Sequence, residues 1–258
     1  MLSHEELRML AWIAQHVEGE GGILDLGPFL GGSTSALAYG AQCSSRPRHI
    51  WSYDVFEGSE EHLRPFLDIK PELEPLIENR NTLPAFWRQV GYFSDIVTAV
   101  QGDILNETWE RGPIAVLFVD LSKTREINDH LVREFMPHLV PGSIVVQQDF
   151  LFFQTPWLHS TMYKLSDSIE LLSHCETNSA IFGVNKTPST AELEACLGVN
   201  TSHDNIEKAI KHFRGRFTDV RQTEMLDAAL EAFRQNPDSE LSWEFYSPVP
   251  FSWDKLNI

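Results

Sequence analysis

Two hydrophobic rhythms run along this chain. From Ser3 to Val17, the apolar residues Leu7, Leu10, Ala11, Ile13 and Ala14 recur with the period of a helix. That stripe predicts an amphipathic helix covering the start of a sheet. Ser3 and Glu6 have the spacing of a capping box at its beginning. Short apolar runs then take over at Ile23–Leu26, His49–Tyr53, Ile96–Val100, Ile114–Val119 and Ser143–Val146. Nearly unbroken runs of this length suit parallel strands buried on both faces. Helical spacing returns between them, as in Ser33 to Ala41. Strands alternating with helices predict an α/β fold with a doubly wound, Rossmann-like sheet. Ile169–His174 and Ala180–Val184 read as closing strands joined by a turn at Asn178-Ser179. Amphipathic segments around Asn205–Phe213 and Thr223–Phe233 follow as a helical C-terminal extension.

Carboxylates gather where these strands end. Asp25, Asp54, Asp120 and Asp149 lie at or near the ends of four runs, and Asp103 follows the remaining one. A single acid there is an ordinary cap or turn residue. Five in register mark one edge of the sheet, the edge at which open α/β sheets bind ligands. The first run leads into Gly27-Pro28-Phe29-Leu30-Gly31-Gly32-Ser33-Thr34. Its glycines allow a ligand to approach the backbone, and the helix behind presents unpaired N–H groups. A dinucleotide fingerprint needs a glycine where Phe29 stands, which disfavours an NAD(P)-dependent oxidoreductase. Asp54 falls about 20 residues beyond the glycine turn, where a carboxylate binds ribose hydroxyls in such folds.

The pattern D-x-G-x-x-x-G-G-S-T from Asp25 to Thr34 resembles motif I of class I S-adenosylmethionine (SAM)-dependent methyltransferases. Within them it is similar to the small-molecule, macrocin O-methyltransferase-like branch. The likeness covers about residues 20–185, with Gln101-Gly102-Asp103 after the third strand, Asp120 ending the fourth and Val140-Pro141-Gly142 as a turn before the fifth. It implies a seven-stranded sheet whose last strand inserts antiparallel, and SAM as cofactor. The backbone of Gly27, Phe29 and Gly31 would then flank the methionine moiety, Asp25 would belong to the same cofactor site, and Ser33 would cap the helix near its carboxylate. Asp54 would hold the ribose, Asp103 would lie beside the adenine, and Asp120 would complete the cofactor side.

Metal-dependent members of that group hold a divalent cation between the strand-four acid and an Asp-Asp pair after strand five. Asp120 and Asp149 match two of these positions, while Gln148 replaces the first acid of the pair. The resemblance thus offers Asp120, Gln148 and Asp149 as ligands for Mg²⁺, weakened by the uncharged amide. A Gly-Asp-His turn common in the family is here Leu121-Ser122-Lys123-Thr124, which removes an obvious base. Lys123 could serve as that base if desolvation lowered its pKa, could pair with an acidic substrate or Asp149, or could be a solvated helix-start residue. Asp120, Lys123 and Asp149 are the candidate catalytic residues. The expected activity is methyl transfer to a hydroxyl of a small sugar-like, phenolic or natural-product-like acceptor. The alternative is a cofactor-binding or scaffold protein of the same fold without methyl transfer.

Composition narrows the partners. The 258 residues carry a formal net charge of −17 and a pI near 4.9, which argues against nucleic acid or an anionic membrane surface. Cys43, Cys175 and Cys196 are too few and scattered for a disulfide framework or zinc site. With no signal-peptide pattern and no run of the ~20 apolar residues that span a bilayer, a cytoplasmic location is expected. Residues 1–185 form the expected SAM-binding domain and 186–258 the extension. The segment 57–93 carries Pro65, Pro71, Pro75 and Pro84, which should break it into short helices. It could form a lid or substrate wall, or merely pack on the sheet. The aromatics Trp243, Tyr246, Phe251 and Trp253 suggest docking on the core or on a second copy, with a homodimer as the expected assembly. Phe150, Phe152, Phe153 and Trp157 could wall an acceptor pocket or belong to the core. His159, beside that run, is expected to have a surface or core role rather than to face substrate.

Overall fold

The structure is a computed structural model that describes residues 2–175 and 177–246. Helix α1 (His4–His16) precedes strand β1 (Gly22–Leu26), helix α2 (Gly32–Cys43) and strand β2 (Ile50–Asp54). An inserted segment follows, with α3 (Glu60–Leu67), a 3₁₀ turn at Pro71–Leu76 and α4 (Leu83–Val90). Then come β3 (Val97–Gln101), β4 (Ile114–Val119), α5 (Arg125–Glu134), β5 (Leu139–Gln147), α6 (Pro156–Lys164), β6 (Ile169–His174) and β7 (Ala180–Val184). Helices α7 (Thr190–Cys196), α8 (His203–Arg214) and α9 (Val220–Gln235) complete the described chain.

The seven strands lie in the order β3-β2-β1-β4-β5-β7-β6. β7 runs antiparallel to both β5 and β6, and the pairings among β1 to β5 are parallel. Strand order reverses between β1 and β4, so the switch point lies where Leu26 pairs with Val119. This is the doubly wound, seven-stranded fold that the strand pattern predicts.

Alternation along the strands divides the core into two layers. Ile23, Ile50, Val116 and Phe118 face α1, α2 and α4 through Leu10, Leu37, Phe86 and Val90. Leu24, Leu26, Leu117 and Val119 belong to the other layer, with Leu131, Phe150, Phe182 and Phe213. Ile206, Ile210, Leu226 and Phe233 of α8 and α9 join that same cluster. The extension therefore docks on the sheet. Phe251 and Trp253 lie outside the described residues.

The capping box at α1 forms: Ser3 donates to Glu6 Oε2 from its backbone N and Oγ at 2.8 and 3.0 Å, and Glu6 N donates to Ser3 Oγ at 3.2 Å. The same carboxylate reaches across the molecule, because Glu6 Oε1 accepts from Ser179 Oγ at 2.6 Å. A local cap signal thus also fixes α1 to the β6–β7 turn.

One local expectation needs correction. Val140-Pro141-Gly142 lies inside β5 rather than before it, at the place where the β4–β5 register shifts. It is a bulge, with Gly142 at φ 87° and Ser143 Oγ bonding Ile114 O at 2.6 Å. Pro65 sits within α3 without ending it, while Pro71 and Pro84 open a 3₁₀ turn and α4. Helix α7 lies outside the elements the sequence pattern predicts, although Ser189 and Glu192 form a capping box there. Two turns give too short a stripe for periodicity to register.

Helix α2 crosses α1 closely. A Cβ at Gly40 would lie 2.0 Å from the backbone oxygen of Ala11. Gly40→Ala should gain up to ~1 kcal/mol of helix propensity and lose more to overpacking, for a net destabilisation of about 1–2 kcal/mol. Urea unfolding measures this, and a stabilised variant would show that the helices are less closely apposed.

Candidate cofactor and acceptor site

The loop between β1 and α2 is bent by three positive φ angles, 95° at Gly27, 52° at Phe29 and 93° at Gly31. Gly31 is the N-cap of α2, with no side-chain cap. Beneath the loop lies Asp25, completely buried. Its carboxylate accepts from Ser33 Oγ at 3.1 and 2.9 Å and from Thr34 Oγ1, which in turn lies 3.0 Å from Ser52 Oγ of β2. Burial pushes the Asp25 carboxyl up to about 7 against the pull of those hydroxyls, and the charges of Asp120 and Asp54 add to the rise.

These contacts reassign two expected cofactor ligands. Asp25 points into the fold, because Leu26 still follows it in the strand and both faces are covered. Ser33 is not the helix cap, since its hydroxyl turns inward to Asp25. The glycines also divide their work. A Cβ on Gly27 would press on Asp120 and Leu121, and one on Gly31 would strike Val90 and Phe86. Their missing side chains make room for protein. Only at Gly32, the first residue of α2, would a Cβ enter open space. Gly32 is therefore the loop glycine left accessible to a ligand.

Asp54 stands at the end of β2 as expected. Its Oδ2 accepts from Phe29 N at 3.0 Å and its Oδ1 from Phe56 N at 2.8 Å. Burial raises its pKa against these backbone donors. The carboxylate is thus aimed by the glycine loop itself. Asp103 lies just beyond the neighbouring β3 and caps a 3₁₀ turn, accepting from Leu105 N at 3.0 Å. The inserted segment braces the loop from above. Phe29 meets Phe66 of α3 edge-on at 4.7 Å, Gln89 of α4 donates to Leu30 O, and Leu30 packs with Leu63, Leu67, Leu73 and Ala85.

Across the switch point, the turn after β4 brings Asp120, Lys123 and Asp149 together. Asp120 N bonds Leu26 O at 2.8 Å and Gln148 N bonds Val119 O at 3.0 Å, which aligns this turn with those after β1 and β5. Lys123 Nζ donates to Asp120 Oδ1 at 3.0 Å and to Asp149 Oδ2. Partial desolvation works against the ammonium, whose side chain is 41% exposed, yet Asp120 and Asp149 outweigh it and hold the Lys123 pKa above its ordinary value. Burial raises Asp120 to about 6, with Lys123 opposing the rise and Asp149 reinforcing it. Lys123 is therefore neither a base with a lowered pKa nor a freely solvated side chain. It is the ion-pair partner of Asp149 and Asp120.

The expected Mg²⁺ ligands do not fit a divalent ion. An ammonium stands between the two carboxylates, and Gln148 contributes no charge. The Gln148 amide oxygen is buried with no hydrogen-bond partner among the described residues. Among those residues, no group of three or more His, Cys, Asp or Glu is placed to hold a metal.

Contacts distant in sequence hold the lysine turn. Trp157 Nε1 donates to Ser122 O at 3.0 Å, Ser242 N to Lys123 O at 2.9 Å, and Arg125 N to Glu240 O at 2.9 Å. Thr155 Oγ1 bonds Asp149 O at 2.9 Å. Neither Trp157 nor the strap at 240–242 carries a motif that would reveal this role in the sequence. Phe150 and Trp157 are core residues, and Phe153 is also buried. His159 is fully buried with its ring 4.7 Å from that of Phe150, and burial lowers its pKa to about 4. It is a core histidine, as expected.

Comparison with known proteins places this geometry. Residues 24–150 match the family model described as a methyltransferase domain. The fold is similar to that of the O-methyltransferase NovP, at 16% identity, covering 70% of this chain and 80% of that one, with a TM-score of 0.53. It is also similar to cofactor-bound Rv0187 from MTB, at 16% identity, covering 72% and 82%, with a TM-score of 0.50. No curated protein sequence matches the chain.

The buried acid under the loop has a pH signature. Between its ordinary value of 3.8 and about 7, the folded protein keeps an Asp25 proton that the unfolded chain loses. Stability from this group therefore falls as pH rises through that window. Asp25→Asn should gain on the wild type between pH 5 and pH 8, by on the order of a few kcal/mol. Urea unfolding at both pH values measures the difference, and equal pH dependence in the two proteins would place the titration elsewhere.

Proposed function

We propose that this chain, a class I SAM-dependent methyltransferase-like protein, binds SAM over its glycine loop and methylates a hydroxyl of a small molecule. The observation that carries the cofactor assignment is the pre-aimed Asp54. A carboxylate at the end of β2, held by the Phe29 and Phe56 backbone N–H groups, retains lone pairs to accept from two ribose hydroxyls. The backbone of Gly27 to Gly31 would run along the methionine moiety, with Gly32 leaving the approach open. Asp103, beyond the adjacent β3, would lie on the adenine side.

SAM supplies a methyl group bound to a positively charged sulfur. The protein's part in such a displacement is chiefly to hold the reacting atoms in line and close together. Asp120 lies next to the glycine loop through its N–H bond to Leu26 O, so the Asp120–Lys123–Asp149 cluster borders the cofactor side. That cluster offers two carboxylates and an ammonium to an acceptor hydroxyl. The resemblance of Asp25 to Thr34 to the small-molecule O-methyltransferase branch, together with the likeness of the fold to the O-methyltransferase NovP, supports a hydroxyl of a sugar-like or natural-product-like compound as the acceptor. The thiols Cys43, Cys175 and Cys196 are all free, in keeping with a cytoplasmic setting. No described helix is long and apolar enough to cross a membrane.

Calorimetric titration with S-adenosylhomocysteine tests the cofactor reading. The wild type should bind, and Asp54→Ala should weaken binding at least ~10-fold, as expected for losing a charge-assisted hydrogen bond. Failure of the wild type to bind either sulfur ligand below millimolar concentration would overturn the proposal. A screen of hydroxyl compounds for S-adenosylhomocysteine release then identifies the acceptor.

A further inference from the structure

We infer that the Lys123 ammonium is the resident cation of this site, occupying the place between Asp120 and Asp149 in which a divalent metal would otherwise be held. The acceptor side of this inference rests on the methyl-transfer reading, whereas the cation side does not.

The first ground is geometry. One ammonium contacts both carboxylates, at 3.0 Å from Asp120 Oδ1 and in direct contact with Asp149 Oδ2. A metal entering between them would have to displace the lysine and leave two positive charges at close quarters. The second ground is charge. Gln148 follows β5 directly, next to Asp149, and its buried amide oxygen adds no negative charge. With an acid replaced by an amide, an ammonium on two carboxylates leaves the same net charge, about −1, as a divalent ion among three acids. The third ground is construction. The Ser122 and Lys123 carbonyls are each held by a donor from elsewhere in the chain, Trp157 Nε1 and Ser242 N. With its backbone already fixed, Lys123 gives up less freedom on pairing than a lysine on a mobile turn.

An ammonium has three N–H donors. Two go to Asp120 and Asp149, and the third is left to position an acceptor oxygen. Lys123 thereby becomes a positioning group for the acceptor, and the site works without a divalent ion.

Manganese and magnesium titrations separate the possibilities. The wild type should show no binding of either ion below millimolar concentration. Lys123→Ala should open the position and bind Mn²⁺ at least ~10-fold more tightly than the wild type, and adding Asp149→Asn should abolish the gain. Overturning results are a wild-type Mn²⁺ site below millimolar that Asp149→Asn removes, or a folded Lys123→Ala protein that binds no better than wild type. If the alanine variant does not fold, Lys123→Gln takes its place, and the wild-type titration needs no variant. S-adenosylhomocysteine binding in the same samples reports on the cofactor reading separately, so either idea can fail alone.

Discussion

The site depends on a carboxylate that no ligand can reach. Asp25 is fully buried at the centre of the sheet, between the switch-point strand β1 and the helix that follows it. Burying an ionisable group costs several kcal/mol unless it is partnered or neutralised. Here the hydroxyls of Ser33 and Thr34 supply partners, and the raised pKa lets the group hold a proton near neutrality. The same bonds tie the first turn of α2 to β1, and through Thr34 and Ser52 to β2. With both ends fixed, the loop between them aims the Phe29 N–H at Asp54. The ribose-binding candidate is oriented by a chain of contacts that begins in the core.

Each side of the switch point is braced by a segment lying outside the regular βα alternation. On the β2 side, the insertion carries its own small apolar cluster around Leu30, Leu63, Leu67 and Leu73, which grips the tip of the glycine loop. Of the two roles open to residues 57–93, this packing supports a wall fixed on the loop, rooted in the main core by Phe86 and Val90. On the β4 side, the extension reaches back to the lysine turn through Glu240 and Ser242, with Phe245 buried near Trp157. Loops are ordinarily the mobile parts of such a fold. Here the reactive edge borrows rigidity from segments far away in sequence.

How much of this could be read from the chain depended on the range of the interaction. The central strands were legible because burial on both faces leaves unbroken apolar runs such as Ile114–Val119, and β7 of the closing hairpin is buried in the same way. The Pro-Gly pair reads as a turn because a bulge uses the same residues, and only the β4 register distinguishes them. Asp25 and Asp54 look alike as strand-end acids. One further residue, Leu26, keeps Asp25 inside the strand, while Asp54 is the last residue of its own. The inward turn of Ser33 and the open position of Gly32 depend on which atoms surround them, and spacing alone cannot encode that. Lys123 was visible as a departure from pattern, but its partner Asp149 lies 26 residues away on another strand's turn. The sequence left several roles open for the lysine, and the fold selected one.

That selection bears on how an active edge can change its chemistry without changing its fold. A metal site of this kind needs several oxygen ligands and pays for each by burying charge. Replacing one acid by Gln148 lowers the negative charge, and placing a lysine three residues after Asp120 supplies a tethered positive one. The two departures from the family pattern compensate electrostatically, whereas either alone would leave the position over- or under-charged. An ammonium also differs from a metal in kind. It donates directional hydrogen bonds, it cannot dissociate, and it carries half the charge of a divalent ion. It can orient an acceptor oxygen well and polarise it less. Under the proposed methyl transfer, the acceptor should therefore be one whose hydroxyl needs placement more than acidification, which favours selection by shape and hydrogen bonding over selection by intrinsic acidity.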